Sequence, residues 1–133
     1  MIVYTETYTD YDGNQRTEDF RFHFNQAELM EMEMTTEGGF SARVQRIINA
    51  NSQTELFQVM KTFILDAYGV KSEDGRRFKK NADLRQEFLE SPVYSKIFMR
   101  LTTGKNAAEE ASKFINGVTP DDMPKPMAVQ AAN

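Results

Sequence analysis

Residues 2–24 read IVYTETYTDYDGNQRTEDFRFHF, and the alternation of side chains in this stretch decides the fold class. Apolar side chains recur with period two on both sides of a polar centre, at Ile2, Tyr4, Tyr8, Phe20, Phe22 and Phe24. This alternation predicts two strands. The residues Asp12-Gly13-Asn14 tolerate positive φ, which predicts a chain reversal and hence a β-hairpin. Because two isolated strands are marginally stable in water, helices must cover the aromatic face.

The rest of the chain has helical periodicity. Ser52 and Glu55 have the spacing of a capping box, and the apolar stripe that follows runs through Leu56, Val59, Met60, Phe63, Ile64 and Ala67. Asn25 with Glu28 and Asn106 with Glu109 repeat this spacing and predict two further helices. Cap residues also predict helices that begin near Ser41, Asn81 and Ser91. Gly69 is expected to end the long helix in the left-handed conformation, and Gly117 is expected to end the last helix.

The predicted fold is α+β, with an N-terminal β-hairpin packed on a mainly helical domain of about five helices. A chain of 133 residues with 40% hydrophobic side chains is long enough to bury one core. Residues 1–119 are therefore expected to form a single domain. Residues 120–133 are rich in proline and have no periodic apolar stripe, so we expect a flexible tail.

The composition argues against several classes of function. The chain has no cysteine and one histidine, His23, which has no nucleophile beside it in the predicted strand. We therefore predict no catalytic residue, no metal and no cofactor, and we do not expect an enzyme. No apolar run approaches the roughly 20 residues that span a bilayer, so the cytoplasm is the expected location.

Charge is distributed unevenly along the chain. Residues 1–40 carry nine acidic and two basic side chains, a net charge of −7, whereas residues 41–105 carry seven acidic and twelve basic side chains, a net charge of +5. Complementary potentials steer two proteins together and set their relative orientation. This pattern favours a protein partner, and a second copy of the same chain stays open as one such partner.

Residues 67–81, AYGVKSEDGRRFKKN, form a basic segment between two helical patterns. It lacks the G-x-x-x-x-G-K-[ST] spacing of a phosphate-binding loop. Nucleic-acid binding with Phe78 stacked on a base stays an alternative, but the isoelectric point of about 5.1 disfavours it. In the simplest interpretation, Asp74-Gly75 forms a tight turn and Phe78 pins the loop to the core. The surrounding cations then face solvent or an acidic protein surface.

Methionine is frequent, with eight residues in the chain and three of them in LMEMEM at 29–34. Met32 and Met34 alternate with glutamates and do not follow a helical stripe, so we expect them to be adaptable contacts for a partner. Core packing is the expected role of Met30, Met60 and Met99. The candidate partner-binding residues are therefore Lys71, Asp74, Arg76, Arg77, Phe78, Lys79, Met32 and Met34.

Three stretches resemble tail assembly chaperones of long-tailed bacteriophages: AYGVKSEDGRRF at 67–78, YSKIFMRL at 94–101 and KFINGVTP at 113–120. The opening strand, DGN turn and EDF strand are similar as well, so the likeness spans most of residues 2–120. The resemblance implies a non-virion factor of the infected host cell that binds the tape measure protein and helps bring tail tube subunits to it. It supplies no catalytic residues. The alternative is a small nucleic-acid-binding or other regulatory protein of phage origin.

Overall fold

The computed structural model describes residues 1–121. The strands are β1 (Ile2–Thr9), β2 (Gln15–Phe22), β3 (Tyr68–Lys71) and β4 (Phe78–Lys79). The helices are α1 (Gln26–Thr35), α2 (Phe40–Asn49), α3 (Gln53–Ala67), α4 (Ala82–Leu89), α5 (Pro92–Thr102) and α6 (Ala107–Val118). The mixed α+β class with an N-terminal hairpin is confirmed, and six helices lie within the described residues where about five were expected. The predicted tail lies almost wholly outside these residues, and the domain boundary at residue 119 stays a prediction.

The N-terminal hairpin pairs along the whole length of both strands. β1 and β2 are antiparallel, with Ile2 opposite Phe22 at the open end. At the turn Gly13 has a φ of 87°, and the Asp10 carboxylate accepts backbone N–H hydrogen bonds of 3.0 and 2.9 Å from two residues of the turn. The predicted reversal is therefore confirmed, and a carboxylate on its first residue stabilises it.

Phe22 lies at the centre of the core and is fully buried. Its ring contacts one ring from each of four other elements, with centroid separations between 5.3 and 5.9 Å: Tyr4 of β1, Tyr68 of β3, Phe88 of α4 and Phe114 of α6. Tilted and edge-on contacts of this kind add to the free energy gained by burying the rings. The aromatic face of the hairpin is thus the surface on which strands and helices assemble.

The sheet order is β1-β2-β3-β4, which leaves β1 at one edge. Glu6 of β1 points towards the helices and is 4% exposed, and Arg100 of α5 donates two hydrogen bonds of 2.8 Å to its carboxylate. Lys96 of α5 donates to the carbonyl oxygen of Thr7 at 2.6 Å. An inward charge and an occupied edge carbonyl both hinder pairing with a strand of another chain.

Four helices begin where the sequence predicted. Asn81 accepts a hydrogen bond from the backbone N–H of Leu84 at 2.8 Å, and Pro92 occupies the first turn of α5. Ser52 and Asn106 occupy the positions before α3 and α6, but neither side chain makes a capping hydrogen bond. The capping boxes expected at these two helices are therefore absent although the helix starts are correct.

The start of α1 is confirmed in detail and the start of α2 is corrected. Asn25 and Glu28 form a complete capping box, with reciprocal hydrogen bonds of 2.8 and 2.9 Å. Gly39, and not Ser41, is the residue before α2. Ser41 lies inside that helix, where its N–H and hydroxyl donate to the Glu33 carboxylate at 2.6 and 2.7 Å. A bond to the preceding helix replaces the predicted cap.

Two glycines serve close packing instead of ending helices. Gly69 lies within β3, where an added Cβ would come within 2.6 Å of the Phe78 ring and 2.9 Å of the carbonyl oxygen of Lys79. Gly117 lies inside α6, where an added Cβ would come within 2.9 Å of the Ile2 side chain. The predictions for Gly69 and Gly117 were therefore wrong, because each glycine makes room for a side chain of another element or of the chain end.

We predict that Phe22→Ala lowers the free energy of unfolding by about 3–5 kcal/mol, because the cavity would face four other elements at once. Urea denaturation followed by far-UV circular dichroism measures the change. Phe57→Ala is the matched control, since Phe57 is half-buried and its ring lies against Phe98 with a centroid separation of 5.5 Å. Equal losses in the two variants would contradict the central role of Phe22.

Candidate partner-binding surface

The basic segment forms a second β-hairpin, which we call the basic hairpin (residues 68–80). β3 pairs with β2 at Gly69 and Tyr68, and β4 pairs with β3. Gly75 takes a φ of 77° in the turn. This segment was predicted to be a loop, so both of its strands were missed. Asp-Gly between two short extended segments is nevertheless a hairpin signal. The cations therefore lie on two paired strands and on the tight turn between them.

Asp74 stabilises the turn of the basic hairpin from within. Its carboxylate accepts hydrogen bonds from the Ser72 hydroxyl at 2.7 Å and from the backbone N–H of Arg76 at 3.1 Å. The bond from Arg76, followed by that from Ser72, lowers the pKa of Asp74 below its ordinary value of 3.8. The Ser72 hydroxyl also accepts from the backbone N–H of Arg77 at 3.0 Å. Contact of Asp74 with a partner stays a prediction, but its carboxylate is already engaged inside the hairpin.

The cations of the basic hairpin differ in whether their side chains have an ion-pair or hydrogen-bond partner. Lys80 forms an ion pair with Glu28 at 2.9 Å, and the Lys71 ammonium donates to the carbonyl oxygen of Ser72 at 3.1 Å. Arg76, Arg77 and Lys79 are exposed, and none of the ion pairs within residues 1–121 involves them. These three side chains keep their charge accessible to another molecule.

Phe78 does not pin the basic hairpin to the core, so this expectation was wrong. Its half-buried ring lies over Gly69, edge-on to His23 with a centroid separation of 6.1 Å, and outside the main apolar cluster. The missing side chain at Gly69 leaves the space that the ring fills. Phe78 therefore packs β4 on β3 and connects the basic hairpin to His23, the residue that follows β2.

A groove runs between α1 and α3. It consists of two adjoining depressions with volumes of about 460 and 290 Å³, which share Met32 and Asp66. We call it the α1–α3 groove, and its apolar lining includes Phe24, Met32, Phe40, Phe63, Leu65 and Tyr68. Charged side chains at its margins include Glu31, Arg43 and Arg85. Met32 was predicted to contact a partner, but the groove was not predicted, because its walls come from separate helices.

The methionines divide into three environments. Met60 is fully buried, as expected, and Met32 is half-buried in the groove. Met30 and Met99 are 57% and 50% exposed, so their assignment to the core was wrong. Met34 is 78% exposed, on the side of α1 that faces away from Leu29, the buried residue of that helix. The two predicted methionine contacts, Met32 and Met34, therefore do not share one surface.

A third depression, with a volume of about 490 Å³, lies beside the basic hairpin, and we call it the basic depression. Its charged lining comprises Met1, Glu28, Lys71, Arg76, Arg77 and Lys80, with His23 and Phe78 beside them. The Glu28–Lys80 ion pair lines both this depression and the groove, so it forms the ridge between them. Lys79 belongs to neither lining.

The surroundings of His23 in the basic depression favour its neutral form. Burial is the main cause that lowers its pKa below 6.5, and the N-terminal ammonium and Lys80 act in the same direction, whereas Glu28 and Asp121 oppose them. Its Nδ1 atom is buried and has no hydrogen-bond partner within the described residues. No functional role was predicted for His23, because no nucleophile lies beside it in the sequence.

An apolar groove and a basic depression on a small α+β scaffold define a protein that presents surfaces for binding another molecule. A family model described as phage tail assembly chaperone matches residues 1–133, and the chain belongs to that family. The resemblance noted in the sequence is thereby confirmed. The comparisons with curated proteins and with solved structures give no significant match. The family implies protein partners in tail assembly and suggests a non-catalytic role.

The described residues add two observations. None of the helices within residues 1–121 is long and apolar enough to cross a membrane. The same residues contain no group of three or more acidic or histidine side chains placed to hold a metal ion.

We predict that Asp74→Ala loosens the basic hairpin, because the Ser72 hydroxyl and the Arg76 N–H lose their shared acceptor. Amide hydrogen exchange at Arg76 and Arg77 should accelerate while the midpoint of urea unfolding stays within experimental error. Glu73→Ala is the neighbouring control, since Glu73 is exposed and none of these turn hydrogen bonds involves it. Equal acceleration in both variants would contradict the role of the Asp74 carboxylate.

The hairpin should also respond to pH in a defined direction. The pKa of Asp74 is lower in the folded protein than its ordinary value of 3.8, so its contribution is fully present above that value and is lost as the pH falls through the lowered pKa. We expect protection of the Arg76 and Arg77 amides, corrected for intrinsic exchange, to decrease in this acidic range. Asp74→Ala should abolish this dependence.

Proposed function

We propose that this protein is a tail assembly chaperone that binds the tape measure protein and helps bring tail tube subunits to it, without catalysing a reaction. Membership of the phage tail assembly chaperone family supports the general role. The observation that carries the finer proposal is the α1–α3 groove, whose two depressions meet at Met32. Its combination of apolar and charged lining residues suits an amphipathic helix.

The binding mode follows from the chemistry of the groove. A long helical partner with an apolar stripe is prone to aggregate until that stripe is covered. Each apolar side chain that is buried contributes roughly 1.5–3 kcal/mol, so several anchors along one helical face can offset an association cost of about 4–15 kcal/mol. Met32 is suited to the centre of such a contact because its unbranched side chain adapts to different neighbours.

The charged side chains that line the groove select the charges of the partner. Glu31 and Asp66 provide carboxylates, whereas Arg43 and Arg85 provide guanidinium groups. Arg85 is paired with Asp66 at 3.2 Å, which leaves Glu31 and Arg43 as the charges without an ion pair within residues 1–121. We therefore expect the bound helix to carry charges of both signs beside its apolar stripe.

Recruitment of tail tube subunits would use surfaces that remain open when the groove is filled. Met34 and Met30 are exposed on α1 and line neither depression of the groove. Lys79 is exposed on β4 and also lies outside both. We propose that the complex forms in the host cell cytoplasm during assembly and that this protein is absent from the mature virion.

We predict that Met32→Lys weakens binding of helical segments of the tape measure protein by about tenfold or more, because a charge would replace an apolar contact at the centre of the groove. Isothermal titration calorimetry measures the affinity, and urea unfolding verifies that the variant is folded. Met34→Lys makes the same chemical change outside the groove. If Met34→Lys weakened binding while Met32→Lys did not, the exposed side of α1 and not the groove would be the interface.

Mass spectrometry of infected cells and purified virions tests the proposed stage of action. We expect this protein to be recovered together with the tape measure protein from lysates taken during tail assembly. The purified virion should contain the tape measure protein without it. Recovery of both proteins from virions in a constant ratio would contradict the proposal that it leaves before maturation.

A further inference from the structure

We propose that the basic depression is a second binding site, which takes the carboxylate groups of an acidic polypeptide segment. It lies across the Glu28–Lys80 ridge from the α1–α3 groove and has its own volume of about 490 Å³. This site does not depend on what fills the groove, so the inference goes beyond the proposed function.

Cationic groups reach the basic depression from separate parts of the chain. Met1 contributes the N-terminal ammonium, and the basic hairpin contributes Lys71, Arg76, Arg77 and Lys80. The acidic side chain in the lining is Glu28, and it is paired with Lys80 at 2.9 Å. No ion pair within residues 1–121 involves Lys71, Arg76 or Arg77. The depression therefore has a positive excess for an anionic ligand to neutralise.

The two arginines give the depression its preference for carboxylates. A guanidinium group donates two parallel N–H hydrogen bonds to one carboxylate, a geometry that a lysine ammonium does not provide. Arg76 and Arg77 are adjacent in sequence at the turn of the basic hairpin, and both line the depression. We infer that a segment with closely spaced acidic residues can use both groups.

The backbone that carries these arginines is ordered before a ligand binds. Asp74 accepts from the Arg76 N–H, and the Ser72 hydroxyl accepts from the Arg77 N–H at 3.0 Å. Phe78 covers Gly69 within the hairpin and lies edge-on to His23 outside it. Such preorganisation reduces the loss of conformational entropy on binding.

The surroundings favour an acidic polypeptide over a nucleic acid. A duplex carries one negative charge per about 1.7 Å of axis, so it extends its charge well beyond a depression of this size. The first forty residues, which include β1, β2 and α1, carry a net charge of −7 from nine acidic and two basic side chains. They would repel a long polyanion. A short run of carboxylates can bind in the depression while the rest of the segment extends away from the acidic surface of the protein.

His23 supplies a specific reporter for occupancy of the depression. The N-terminal ammonium and Lys80 disfavour its protonation, Glu28 and Asp121 favour it, and burial disfavours it most. A bound carboxylate adds negative charge beside the imidazole and should raise the pKa of His23. Because the chain has one histidine, its imidazole signals in NMR spectra need no further assignment.

The test uses the full chain and a synthetic peptide rich in glutamate, compared with the same peptide carrying glutamine at each glutamate. We expect the glutamate peptide to bind and to raise the pKa of His23, whereas the glutamine peptide should do neither. The double variant Arg76→Glu/Arg77→Glu should weaken binding about tenfold or more and abolish the His23 response. The matched control is Arg46→Glu/Lys105→Glu, which makes the same change in net charge at exposed positions outside the lining.

Three outcomes would overturn the proposal. If the control variant weakened binding of the glutamate peptide equally, the peptide would be attracted by the overall charge of the protein and not by this site. Binding of the glutamate peptide without any change in the pKa of His23 would place the peptide elsewhere. Tighter binding of single-stranded DNA than of the glutamate peptide at physiological salt, with the same dependence on Arg76 and Arg77, would identify a nucleic-acid site. Since the peptide contains no tape measure sequence, none of these outcomes bears on the α1–α3 groove.

Discussion

The burial of Phe22 against rings from β1, β3, α4 and α6 is the interaction on which the arrangement of the elements depends. A two-stranded hairpin is not stable alone, so the strands need the helices that cover this ring as much as the helices need the strands. The two residues that follow Phe22 extend the connection. The backbone N–H of His23 donates to the carbonyl oxygen of Ala67, and the backbone N–H of Phe24 donates to that of Val118, both at 2.9 Å. The end of β2 is thereby tied to the ends of α3 and α6.

This central packing also positions both binding surfaces. Phe24 lines the α1–α3 groove, and the Lys80 ammonium lies 4.4 Å from the centre of its ring. Lys80 in turn pairs with Glu28, so a cation held by an aromatic ring and a carboxylate separates the groove from the basic depression. On the other side of this ridge, His23 and Phe78 meet edge-on. The residues at 22–24 thus link the core to the two surfaces through direct contacts.

The accuracy of the sequence predictions depended on how far apart the interacting residues lie. The capping box of Asn25 and Glu28 and the turn at Gly13 involve neighbours in sequence, and both are present as predicted. The predicted partner contacts stay predictions, and the structure gives only the place of each residue. The arginines and Met32 line depressions, but the groove itself, Lys80 and the place of His23 were missed, because each is created by elements that meet in space. Met30 was misassigned because α1 is covered on one side by its neighbours and exposed on the other.

The sequence by itself determined the strand and helix periodicity, the turn residues, the clustering of cations in residues 71–80 and the likeness to a chaperone family. These properties depend on local backbone preferences and on the order of side chains along the chain. Tertiary structure alone decided that Gly69 accommodates Phe78, that Glu6 is buried against Arg100, and that Arg77 shares a depression with His23. Glu6 and Arg100, like Arg77 and His23, are far apart in sequence, whereas Gly69 meets Phe78 through the pairing of β3 with β4. All three arrangements are set by how whole elements pair and pack.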